Sequence, residues 1–319
     1  MDLFAEGKNE CPVPPWVCFT AWSTVVLALP LVILGAETTT KGVGMADLVS
    51  LRTPWYFFTL NLKQTSLGLL IEHSHRLFGW AVGISCLIFA FSLQYSGRGW
   101  VRYLGWLALF LVAAQGILGI LRVKWNAMAG PELAAFHGCF AQFTFACLVS
   151  IAVVCSAFWW NAESTGDPNL KPLIGYLLFA LIFSQMILGA IVRHKMDPLA
   201  QRGHIILAFA VVVLVIWCFM RLRDGEDSLA HKVVGVLLFL VSIQPILGVE
   251  AWIRKFGSGQ PPMLVPSDPT LDLVRTVHHF TGMLILAAAG SLAAILCRSL
   301  IIFKRSSSEA SVATVGGAH

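Results

Sequence analysis

The sequence predicts an all-α, polytopic membrane protein whose eight transmembrane helices form two pseudo-symmetric four-helix bundles. Composition is the first observation: of 319 residues, 57% are hydrophobic and only 12% charged, against roughly 25% charged in a typical soluble domain. The second is length, since a spanning helix needs about 20 mostly apolar residues and eight such windows can be read along the chain. The third is an internal repeat that sets glycines and histidines at matching depths.

In chain order the windows are 16–35, 67–94, 103–121, 133–160, 172–192, 203–220, 232–252 and 272–303. A long polar segment, Glu37 to Ser66, separates the first two. Gly130-Pro131-Glu132 before the fourth and Asp268-Pro269 before the eighth supply cap residues and a proline for the first helical turn. The expected organisation is a tail at 1–15, a first half at 16–160, a linker at 161–171, a second half at 172–303 and a tail at 304–319. An even number of spans puts both termini on one side. The start carries Asp2, Glu6, Lys8 and Glu10 without a basic leader or an Arg-rich transit pattern, so a bacterial inner membrane is the expected address. The 22 lysines and arginines divide almost evenly between the two sides, so the positive-inside rule does not orient the chain. A net charge of +5 adds nothing to that, and no nucleic-acid signal is present. Membrane lipid is the expected surrounding.

Each odd span ends near an Ile-Leu-Gly: Val32-Ile-Leu-Gly35, Gln115-Gly-Ile-Leu-Gly119, Gln185-Met-Ile-Leu-Gly189 and Gln244-Pro-Ile-Leu-Gly248. Each even span carries a histidine close to its start: His75, His137, His204 and His278. Odd and even helices run in opposite directions, so the ends of the former and the starts of the latter share a leaflet. The four imidazoles therefore occupy one layer. Glycine at that depth permits either close helix packing or the approach of a flat ligand.

Ionisable groups inside a membrane are kept for a partner or a function, and two histidines per half suggest facing imidazoles around iron. Haem fits a four-helix bundle core. Zinc, the competing metal, wants three or four protein ligands, and no cysteine or carboxylate set completes one in both halves. The halves differ at Glu72-His73-Ser74-His75-Arg76, which corresponds to Gln201-Arg202-Gly203-His204-Ile205. Glu72, His75 and Arg76 share a helical face, and an acid beside an iron-facing histidine suits proton transfer; the alternative for Glu72 is an ordinary ion pair with Arg76. Substrate and catalysis are accordingly assigned to the first half, and a permanently bound haem to the second.

His73 and His279 lie off the ligand face and read as supporting or surface groups, although His279 competes with His278 as a ligand. His194, His231 and His319 read as loop or terminal residues. Arg193, Arg275 and Lys195 lie on the histidine side, where pairing with haem propionates and snorkelling to the surface are equally expected. Six of the eight cysteines, Cys86, Cys139, Cys147, Cys155, Cys218 and Cys297, fall inside spans and read as small buried hydrophobes. Cys11 and Cys18 have a spacing that suits a disulfide or a metal, with free thiols the expected state.

From Trp16 to Phe303 the chain resembles the haem A synthases, assembly factors of cytochrome oxidase. The likeness rests on Glu-x-x-His-Arg, seen as Glu72, His75 and Arg76, followed by His137, His204 and His278 within the duplicated layout. The resemblance implies oxidation of a methyl group of haem O to the formyl group of haem A, with oxygen from water. It implies that His204 and His278 hold haem b, with Arg76 also among the cofactor-binding residues, that His75 and His137 flank the substrate haem, and that Glu72 is the essential acid. It further implies cytoplasmic termini, an outward-facing histidine layer, a haem O synthase (a farnesyltransferase) upstream and cytochrome c oxidase downstream, with the electron acceptor left open. Many members carry a cysteine pair in the loop after the first span; Glu37 to Ser66 has none, as in a cysteine-free branch. The main alternative is a di-haem b-type electron-transfer cytochrome without hydroxylation activity. A third is a haem transporter or chaperone.

Overall fold

A computed structural model describes residues 11–47, 49, 56, 61, 63–161, 170–223, 228–259, 261, 265–266 and 268–298. Most of the two expected tails, with His319, and most of the expected linker lie outside the described residues.

The described chain is helical throughout its spans: α1 Pro15–Thr40, α2 Leu67–Ser96, α3 Arg102–Lys124, α4 Asn126–Val154, a short α5 Ala157–Asn161, α6 Leu170–Lys195, α7 Pro198–Arg223, α8 Ser228–Phe256 and α9 Pro269–Leu296. Eight of these, all but α5, are long and apolar enough to cross a membrane. They overrun the apolar windows because polar ends keep helical backbone. At the end of α1, for example, Thr38 and Thr39 return hydroxyl bonds of 2.8 and 3.2 Å to the carbonyls of Leu34 and Gly35. The expected start at Pro131 appears as a kink, with Ala129 outside helical geometry (φ −146°, ψ 38°) inside α4. The fourth window, read to residue 160, breaks after Val154 into α5. Asp268 caps α9 as expected, accepting from the backbone of Thr270 and Leu271 at 2.8 and 2.9 Å.

Consecutive helices pack antiparallel. α1 to α4 touch in order, with α4 returning to α1, and α6 to α9 do the same, with α9 returning to α6. Small residues permit the closest approaches: a side chain on Gly105 of α3 would meet the Ala90 backbone of α2 at 2.8 Å, and one on Gly175 of α6 the Ala293 backbone of α9 at 2.8 Å. The two sets meet mainly through α4 and α9. Those helices bury 50% and 67% of their apolar windows, against 17–28% in the other six, so the remaining apolar faces, such as Phe110, Ile206 and Phe239, are left for lipid.

The described chain ends gather at one end of the molecule. Cys11 Sγ reaches the Cys155 carbonyl at 3.8 Å, Cys18 Sγ lies 3.3 Å from Ser156 Oγ, and Arg298 donates to the Trp159 carbonyl at 2.7 Å. The cysteines are free thiols, and burial pushes Cys155 up to about 12, which suits a packed thiol rather than a thiolate.

Candidate functional site: histidines seated on glycines

At the opposite end each histidine ring rests against the glycine of the preceding odd helix. A Cβ on Gly35, Gly119, Gly189 or Gly248 would meet Cε1 of His75, His137, His204 or His278 at 2.9, 3.4, 2.8 and 3.2 Å respectively. The glycines therefore make room for imidazoles. In α3, α6 and α8 the glutamine four residues before that glycine clamps the same histidine's backbone: Gln115, Gln185 and Gln244 donate to the carbonyls of His137, His204 and His278 at 3.1, 2.8 and 2.9 Å. In α1 the equivalent position is Leu31, which has no amide to offer.

Ring orientation follows from the backbone. His75 Nδ1 donates to the Leu31 carbonyl at 2.9 Å and His204 Nδ1 to the Gln185 carbonyl at 3.0 Å. A carbonyl only accepts, so the proton sits on Nδ1 and Nε2 carries the lone pair that a metal would take; at His204 the Gln185 Nε2 amide lies 3.5 Å from that nitrogen. His204 and His278 face one another with ring centres 6.4 Å apart. An imidazole nitrogen binds a metal at about 2 Å, so two rings on opposite sides of one ion stand about 6 Å apart. The pair has the spacing that a haem iron needs. Buried Oε1 atoms of Gln115, Gln185 and Gln244 have no partner within the described residues, which fits a site shaped for an occupant. His278 makes the ring pair, whereas His279 Nδ1 lies 3.4 Å from Gln142 Nε2 of α4; the geometry therefore favours His278 as the ligand.

The first set carries the acid. Glu72, 3% exposed, binds Arg76 through Oε1 at 2.5 Å and the Asp47 amide through Oε2 at 2.6 Å. Arg76 also donates to the Asp47 carbonyl. The ion pair considered as the plain alternative is thus formed, but as part of a larger cluster. Of the two readings of His73, supporting or surface group, the surface one is excluded: the side chain is 1% exposed, with Nδ1 2.6 Å from Asp47 Oδ2. Tyr56 donates to Asp47 Oδ1 at 2.8 Å and meets the His73 ring edge-on, with centres 5.1 Å apart. Asp47 and Tyr56 thus lie against the first turns of α2. Asp47 and Tyr56 escaped the sequence reading, because an irregular polar stretch has no periodicity to announce a buried residue.

Burial and the bond to Asp47 push the Tyr56 phenol up to about 12. Replacing Asp47 with Asn is expected to lower that value toward the ordinary range near 10. Phenolate absorbance against pH reads the shift, with Tyr56→Phe identifying the signal; an unchanged high titration in Asp47→Asn would remove Asp47 as its cause.

The remaining expected basic groups separate. Lys195 pairs outward with Glu132 at 2.9 Å. Arg193 crosses to α1, donating to the Ala36 carbonyl at 3.0 Å and Thr40 Oγ1 at 2.7 Å. With Arg275 and His194 it lines a cavity of about 380 Å³, to which α3 adds Arg122. His194 and His231 are not loop residues: they lie in α6 and α8, the latter with its ring 5.0 Å from Phe219.

Two known groups of proteins are similar to this chain. A family model described as cytochrome oxidase assembly protein matches residues 52–202, from the segment before α2 into α7. A curated "Heme A synthase" of Lysinibacillus sphaericus is 26% identical over 229 residues, covering 61% of this chain and 72% of that protein. With eight membrane-length helices the chain is a multi-pass membrane protein, and its residues 52–202 are similar to the cytochrome oxidase assembly proteins.

Proposed function

We propose that this chain is a haem A synthase, an oxidoreductase that converts a methyl group of haem O to the formyl group of haem A with oxygen from water. One observation carries the reading: four histidines are each seated on a glycine, two in each set of helices, and among the described residues only the first set adds buried acids, Glu72 and Asp47. The chain is read as a duplicated pair of four-helix halves, 16–160 for the substrate and 172–303 for a resident haem b.

In the second half His204 and His278 hold the haem b, and Gln185 and Gln244 fix the backbones that carry them. A bound haem supplies one-electron redox chemistry there. In the first half His75 and His137 flank the substrate haem. Glu72 lies one turn before His75, held by Arg76 and the Asp47 amide, where it serves as the acid–base group for the oxidised carbon. Arg76 thus acts by positioning Glu72. The oxidation needs an electron acceptor, supplied from outside the described residues.

By the same reading the chain sits in a bacterial inner membrane, with both termini cytoplasmic and the histidine layer outward. Haem O comes from a farnesyltransferase and haem A goes to cytochrome c oxidase. Co-expression with a haem O synthase, followed by mass analysis of the extracted haems, tests the proposal. Appearance of the formyl haem is expected. A pigmented protein that leaves haem O unchanged would instead make it a di-haem b-type cytochrome.

A further inference from the structure

The cavity between the two sets of helices gathers cations without a matching acid. Arg122 comes from α3, and Arg193, His194 and Arg275 from α6 and α9; among the described residues no aspartate or glutamate lines it. The nearby carboxylates Glu72, Glu37 and Asp272 act on Arg122, Arg193 and Arg275 from beyond ion-pair distance and make their ion pairs with other cations. Glu37 and Asp272 both pair with Lys41, at 3.6 and 3.4 Å, Glu132 pairs with Lys195 and Glu72 with Arg76. Arg193 keeps a buried Nε without a partner. Among the described residues no hydrogen bond or ion pair engages Arg122 or Arg275, although Gly44 lies so close to Arg122 that a Cβ there would meet its guanidinium at 2.5 Å. Clustered like charges near a membrane interior are costly unless an anion answers them.

Position narrows the anion. Arg122 follows Gly119 by three residues, Arg193 follows Gly189 by four, and Arg275 precedes His278 by three. Each guanidinium therefore arises about one helical turn, about 5 Å, beyond a glycine–histidine contact. A flat ligand centred in the imidazole layer and carrying acids on one edge would present them here, and guanidinium binds carboxylate in a two-pronged fashion.

We propose that this inter-half cavity is a carboxylate site that takes the acid groups of a tetrapyrrole, with Arg122, Arg193 and Arg275 contributed from both halves. The inference rests on the haem reading above and adds to it Arg122, which no pattern singles out, and the sharing of one site across the halves. Lys195, equally basic and close in sequence, takes no part because Glu132 holds it.

The test titrates the full chain, produced in cells that make no tetrapyrrole, with haem and with haem dimethyl ester, following the Soret band. Haem is expected to bind at least about tenfold more tightly than the ester. Arg122→Gln and Arg275→Gln should each erode that preference while the ester binds as before, and Lys195→Gln should preserve it. Equal affinity for acid and ester overturns the carboxylate site but leaves the histidine reading intact, since the ester still meets the imidazoles. Failure of both to bind overturns both. Loss of the preference when phosphatidylglycerol replaces phosphatidylcholine also overturns the proposal, because the cavity would then be serving a lipid phosphate.

Discussion

Replacing Glu72 with Ala is expected to lower haem A formation by about 10²- to 10⁴-fold, the usual range for loss of a positioned acid–base group, while the haem of the second half stays bound. The reason lies in where the carboxylate sits. It is nearly inaccessible, with both oxygens occupied by Arg76 and the Asp47 amide, and the corresponding residue of the second half, Gln201, cannot ionise. Glu72→Gln keeps the shape and removes the charge, so it should lose as much. If Glu72→Gln converted haem O at the wild-type rate, the side chain would be a positioning group only. The pigment retained on His204 and His278 in the same preparation separates loss of chemistry from loss of fold.

The second large effect is steric. Gly189→Ala should strip haem from the second half, because its Cβ would lie 2.8 Å from Cε1 and 3.3 Å from Nδ1 of His204. The ring can yield only by breaking its 3.0 Å bond to the Gln185 carbonyl. Overpacking of this kind costs about 1–3 kcal/mol, and the ligand is also turned away from the iron. The same change at Gly119 meets His137 at 3.4 Å, an ordinary contact, and should leave pigment content near wild type. Haem per polypeptide, measured for both variants, reads the contrast. Equal retention would mean that the glycines serve helix packing alone.

Much of this arrangement was legible in the sequence, for identifiable reasons. The spans follow from apolar length, and the glycine–histidine pairs follow from depth, because both are periodic properties of helices. What escaped depends on the irregular chain or on a boundary. Asp47 and Tyr56 lie in a polar segment that no periodic pattern marks, so His73 stood open between a supporting and a surface group until its contacts with them were seen. Arg122 stands at the end of an apolar span, where a basic residue ordinarily snorkels; only the shared cavity that it lines with Arg193 of α6 and Arg275 of α9 gives it company. The break after Val154 lies among continuous apolar residues, so hydropathy ran through it to residue 160.

The account depends on imidazoles gripping iron porphyrin, and the Soret spectrum of the purified protein asks this most directly. Wild type should show a bis-imidazole haem, and the double variant His204→Ala, His278→Ala should lose it while remaining in the membrane. A colourless wild type, or a double variant with its full pigment complement, would contradict the account.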